Sequence, residues 1–142
     1  MKQLPFLLVA FFTVQITLAQ EKIVVQEKSI DDNSIYNIGG IDIKPKYPGG
    51  INAFYKIFFK NFMPPEDEKF KGGKLFVAFV IDIDGSMTDM KVIRDIGFGA
   101  GEEAIRVLKL CEKWIPGEQN GKKVRVSYVL PITVSSINNN PK

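Results

Sequence analysis

The sequence predicts an α+β fold in which two helices pack on one face of a small three-stranded antiparallel sheet. Three observations carry that expectation. Between Val124 and Val134 every even position is apolar or aromatic (Val124, Val126, Tyr128, Leu130, Ile132, Val134), whereas Lys123, Arg125, Ser127, Pro131 and Thr133 interleave with Val129 at the odd ones. Alternation with a period of two is the pattern of a half-buried strand. Lys74 to Asp82 alternates as well and runs into Asp84-Gly85, whose glycine supplies the positive φ of a hairpin turn. Finally, two stripes recur at helical spacing: Ile51, Phe54, Phe58 and Phe62, then Ala104, Val107, Leu108 and Cys111.

Composition narrows the function before any motif does. At 142 residues the chain is long enough to bury a core without disulfides or metals, and its single cysteine excludes an intrachain disulfide. A net charge of +3 without a block of Lys or Arg gives no footprint for nucleic acid. Histidine is absent, which removes the commonest general base, the Ser-His and Cys-His dyads and the usual catalytic zinc sites. These absences point away from an enzyme, and no cofactor or metal is expected.

Taken in order, Met1-Lys2 opens an apolar run to Ala19 that ends in small residues, the form of an export signal over residues 1–19. As a helix it would reach about 24 Å, less than the roughly 30 Å of a bilayer core, so cleavage is the preferred reading and an uncleaved anchor the alternative. Both export the rest of the chain, into a periplasm-like compartment if the cell has two membranes. Residues 20–43 read as a tether with one short strand near Ile35 to Ile43. The domain proper is expected over 44–136, with a polar tail at 137–142.

Within that domain, Pro45, Pro48 and Gly49-Gly50 make a turn that releases the first helix, Ile51 to Phe62, and Pro64-Pro65 end it. Leu75, Val77, Phe79 and Ile81 on one face, with Phe76, Ala78 and Val80 on the other, describe a strand interior to a sheet or covered twice. Met87 to Asp95 returns as its hairpin partner. A second helix, Gly101 to Lys113, carries Glu102 and Glu103 in its first turn and Lys109 and Lys113 near its last, matching the helix dipole. A polar turn over Glu118 to Gly121 leads into the final strand.

Few side chains form a constellation fit for chemistry. Asp82-x-Asp84-Gly85 lacks the twelfth-position glutamate of a calcium loop, since that place falls on Ile93, and it reads as a turn. Glu102 and Glu103 are neighbours on a helix and point about 100° apart, so they read as a solvated first turn rather than an acid–base pair. Gly97-x-Gly99-x-Gly101 is wrongly spaced for a dinucleotide fingerprint and reads as a loop joint. Cys111 reads as a packing residue, and Trp114 as a lid on the core with its polar end at the rim.

Tyr47-Pro48-Gly49-Gly50, Gly72-Gly73, Phe79-Val80-Ile81-Asp82-x-Asp84-Gly85, Val92-Ile93-Arg94-Asp95-Ile96-Gly97, Glu103-Ala104 and Trp114-x-Pro116-Gly117 follow one another. In that order and spacing they resemble the C-terminal domain of TonB energy transducers, in a short exported form like that of Bacteroidetes. The resemblance covers about Lys44 to Val134. It implies a periplasmic module that binds the TonB-box peptide of outer-membrane receptors by adding it as a strand to the sheet edge. Inner-membrane motor proteins are a further partner that it suggests, whereas a homodimer would come from self-pairing of the open edge. A full TonB protein has an uncleaved anchor and a long proline-rich span; this chain departs from both, which puts its own coupling to a motor in doubt.

The candidate partner-contacting residues are Lys123, Arg125, Ser127 and Val129, with Tyr47 and Pro48 of the turn before the first helix. The register follows from Pro131, which has no donor and is tolerated only where no ladder bond is needed. Without a bulge, the odd amides then face the open edge, with Lys123 and Arg125 as edge-guarding charges, and a partner strand would stop near Pro131. A receptor-peptide module and a self-pairing or envelope-protein docking module both fit such an edge.

Overall fold

The computed structural model describes residues 33–137. The expected export signal, the start of the tether and residues 138–142 of the tail lie outside the described residues. Five strands and two α-helices follow in order: β1 (Ile35–Asn37), α1 (Ile51–Asn61), β2 (Gly73–Ile81), β3 (Met87–Arg94), α2 (Ala100–Leu108), β4 (Gly117–Gln119) and β5 (Lys122–Val134). A 3-10 turn, Ile38–Gly40, follows β1.

The sheet runs β1-β5-β2-β3, and β4 also pairs with β5. The expectation of three antiparallel strands is corrected in two ways. β2, β3 and β5 are the antiparallel core, but β1 joins β5 in parallel, so the sheet is mixed and has five strands. The extra strands are three residues each and carry no alternation of their own.

The amphipathic pattern places the core. On β5 the even residues Val124, Val126, Leu130, Ile132 and Val134 are buried, and Tyr128 is half-buried. Leu130, Ile132 and Val134, with Tyr128, meet Leu75, Val77, Phe79 and Ile81 of β2, Phe54 and Phe58 of α1, and Ala104, Val107 and Leu108 of α2, whereas Val124 and Val126 pack in a second cluster with Ile41. Trp114 differs from its reading as a rim lid: it is 4% exposed and its ring lies 5.1–5.6 Å from those of Tyr128, Tyr47 and Phe54. Such edge-on and tilted ring pairs add specificity to a core that burial already stabilises. Gly85 is required here, because a Cβ would collide with the Trp114 carbonyl, and its own carbonyl accepts from the Trp114 amide at 2.8 Å.

α2 ends at Leu108 rather than Lys113. Leu110 and Cys111 donate to Val107 and Leu108, three residues back, so the chain tightens out of the α-helix there. Glu103 is not merely solvated. Its carboxylate accepts from the Met63 amide at 2.9 Å and pairs with Arg106, whose guanidinium also reaches the Asn61 carbonyl at 2.8 Å. Those bonds fasten α2 to the end of α1, and the bond to Arg106 is the main reason that Glu103 stays ionised below its ordinary range.

Candidate functional site

The sheet ends on two edges of unlike character. β3 pairs with β2 through two register shifts, and Asp89 within it has φ 52°, a left-handed backbone that breaks the regular row of amides. Bulges of this kind, with Lys91 and Arg94 exposed nearby, blunt an edge. β5 is the opposite. Its nine pairs with β2 run from Gly73↔Val134 to Ile81↔Val126 without a shift.

Pro131 sets the direction of the β5 amides. It lies opposite Phe76 in that unbroken ladder and has no N–H to donate. Opposed residues of an antiparallel pair alternate between those that exchange two bonds and those whose amides point outward. Pro131 fits only the second kind. Ser127, Val129, Pro131 and Thr133 therefore turn their polar backbone away from β2, and Tyr128, Leu130, Ile132 and Val134 turn theirs towards it. In keeping with this, the Pro131 carbonyl accepts from the Tyr55 hydroxyl at 2.8 Å, a bond that an outward-facing oxygen is free to make. Burial of the Tyr55 phenol, with Tyr128 nearby, raises its pKa and keeps that donor protonated.

The outer edge is half occupied. Ile35 and Asn37 of β1 lie opposite Arg125 and Ser127, whereas β4, joined to β5 by the Asn120-Gly121 turn, pairs with Lys122 to Val124. Arg125 is not a loose guarding charge. Its side chain is 18% exposed, and its guanidinium lies 3.6–3.7 Å from the carboxylates of Asp89 and Asp82 and donates to the Asn33 side chain at 3.0 Å. It holds the start of β1 against β5. Beyond Ser127, among the described residues, no strand pairs with the outer edge. The amides of Val129 and Thr133 and the carbonyls between them face that gap, and the Val129 side chain is 48% exposed.

Of the six residues that sequence reasoning singled out, the structure brings four onto β5; β1 pairs with two of these, Arg125 and Ser127, and Val129 has no strand partner on its outer side among the described residues. Tyr47 is elsewhere: it is 2% exposed, its ring packs edge-on against Phe54, and its hydroxyl accepts from the Glu112 amide at 3.3 Å. Burial raises its pKa. Pro48 is half-buried in the same turn. Tyr47 is spent on the core rather than offered to a partner. The reading missed Thr133, Tyr55 and Phe59 around the end of the edge. The odd parity of Thr133 was a usable signal, whereas the two α1 aromatics could not be placed there without the packing of α1 over β5.

The other constellations resolve into local structure. Asp84 accepts from the Ser86 amide at 2.9 Å and from its hydroxyl at 2.5 Å, and it pairs with Lys113. The Ser86 bonds lower its pKa to about 2. At the glycine joint, the Asp95 carboxylate accepts from the Ile96 and Gly97 amides and packs against Gly101, so an acidic group already fills the start of α2. Cys111 is half-buried, and desolvation pushes its thiol up to about 11, which makes it a packing residue with little thiolate. No helix among the described residues is long and apolar enough to cross a membrane.

A model of the family described as Gram-negative bacterial TonB protein C-terminal matches residues 66–133. No curated protein and no solved structure gives a match. The matched stretch holds β2, β3, α2 and β4 whole, and β5 up to its penultimate residue, so the open half of the β5 edge falls within it.

Proposed function

Residues 66–133 belong to the TonB C-terminal domain family, a family of envelope-associated protein-interaction domains with a part in transport, and from that premise we propose that this chain binds the TonB-box peptide of outer-membrane receptors by strand addition. The peptide would lie along the outer edge of β5 from Val129 to Thr133, in energy-dependent outer-membrane transport. One observation carries the reading: β5 pairs with β2 without a register shift, its outer edge already accepts one parallel strand, β1, and beyond Ser127 no strand among the described residues pairs with that edge.

Strand addition draws its affinity from main-chain bonds, so it needs no catalytic group and tolerates varied sequences. The edge offers amides at Val129 and Thr133 and outward carbonyls at Ser127, Val129 and Thr133, while Tyr55 already holds that of Pro131. The footprint differs from the expected one, which ran over Arg125, Ser127 and Val129 and stopped near Pro131. β1 takes the first two of those positions, and the proposed site moves towards the end of the strand. Titrating a receptor TonB-box peptide into the labelled protein tests this. Chemical-shift changes centred on Val129 and Thr133 support the reading, and an unperturbed β5 removes it. A concentration-dependent dimer in sedimentation that peptide fails to dissociate would instead favour a self-pairing module.

A further inference from the structure

The space beside the open half of β5 is not featureless. A cleft of about 370 Å³ lies there, lined by Phe59, Phe62, Pro64, Thr133, Val134 and Ser135. Its position follows from parity. Thr133 directs its side chain to the sheet face opposite the helices, whereas Phe59 belongs to α1 on the helical face. Two residues on opposite faces share a cleft only where it wraps around an edge, and β2 covers the other edge at this level. The cleft is therefore the volume into which a strand added to β5 would extend.

We infer that this cleft is a side-chain pocket of the same edge, one that takes a bulky apolar residue from the helix-facing side of an extended partner segment. The inference rests on the strand-addition reading and names the chemistry of the segment. A residue placed opposite Ile132 or Val134 carries its side chain on the same face as theirs, towards the helices. Adjacent strands are about 4.8 Å apart, so that side chain enters beside Phe59 rather than in solvent.

The lining argues for an apolar occupant. None of its six residues is charged, so a carboxylate or ammonium group buried there would lose hydration without gaining a partner. Phe59 is 44% exposed on a helix whose other phenylalanines, Phe54 and Phe58, are buried, as is Phe62 just past its end. The Phe59 ring packs on two others, stacked 6.2 Å from Tyr55 and set edge-on to Phe62 at 6.3 Å. An aromatic held by neighbours beside a backbone edge is the arrangement of an anchor pocket.

The test uses the full chain and a receptor TonB-box peptide, with each apolar residue of the peptide replaced in turn by Asp. One register position should lose about tenfold or more in affinity on replacement, and neighbours on the alternate face should lose little. Phe59→Ser should weaken the parent peptide by about the same factor yet leave the affinity of the Asp-substituted peptide nearly unchanged, because the two changes remove one contact. Thr133→Arg, which sets a charge at the mouth, serves as the second variant, and thermal melting checks that both proteins fold. If Phe59→Ser and Thr133→Arg bind the parent peptide with unchanged affinity while Val129 and Thr133 of the unmodified chain still shift, the pocket is overturned and the edge reading stands. If the parent peptide shifts neither amide, the edge reading fails and takes the pocket with it. A dimer of the unmodified chain that Phe59→Ser dissociates would identify a second copy as the occupant and overturn the peptide assignment.

Discussion

The two halves of β5 are made alike and used differently. From Val124 to Ser127 the strand has intrachain partners in β1, β4 and β2, and from Val129 to Val134 it is paired, among the described residues, with β2 alone. Both halves alternate, both bury their even residues, and both would be edges if nothing else were present. What separates them is a short N-terminal strand whose Tyr36, with Ile38, packs on Ile41, Val124 and Val126, and whose preceding Asn33 is held by Arg125. A strand of three residues has little of its own to hold it, so its place depends on that small cluster. The comparison teaches that edge availability, rather than strand sequence, decides where a partner can pair.

The sharpest way to break the comparison is a pair of prolines one residue apart. Leu130→Pro removes a ladder bond to β2 and a buried side chain together, with an expected loss of more than about 3 kcal/mol that unfolds the domain. Val129→Pro removes an outward amide, so the melting temperature should change by only a few degrees while peptide affinity falls about tenfold or more. Calorimetry and peptide titration on both variants read the difference. A similar contrast runs along α1: Phe58→Ala should cost about 3–5 kcal/mol in urea unfolding, whereas Phe59→Ala, at an exposed ring, should cost under about 1 kcal/mol.

A smaller effect should come from the occupied half. Tyr36→Ala thins the cluster that seats β1, at an expected cost of about 1 kcal/mol. It should also spread peptide-induced shifts from Val129 and Thr133 back to Arg125 and Ser127, as β1 gives way. Smallest of all is an acid effect at the β2–β3 turn. Asp84 titrates near 2 in the folded protein, below its ordinary value of 3.8, because Ser86 hydrogen bonds favour the carboxylate. Its contribution is present above pH 3.8 and is lost as pH falls towards about 2. Hydrogen exchange of the Ser86 amide should rise over that range relative to amides of the sheet core.

Most of the central fold was legible because it is written in periodicity. β2, β3 and β5 rest on alternation and on Asp84-Gly85, and α1 on phenylalanines four residues apart. β1 was only dimly legible and β4 was not, since each is defined by the neighbour it meets. Gly117–Gln119 has no apolar pattern, although Asn120-Gly121, both at positive φ, is a strong two-residue hairpin signal that a reading as a plain polar turn overlooks. Ile35–Asn37 becomes a strand because β5 offers it an edge. The site was legible in parity and illegible in extent. Pro131 told which amides face outward, but nothing local told that Arg125 and Ser127 would already be taken, or that Tyr47 would be needed between Phe54 and Trp114.

Amide-resolved titration with a receptor TonB-box peptide tests the division of β5 most directly. The expected result is that Val129 and Thr133 shift and gain protection from hydrogen exchange, while Leu130 and Ile132, already bonded to β2, change little. Perturbation confined to Met87–Arg94 on β3, or to the even amides of β5, would contradict it.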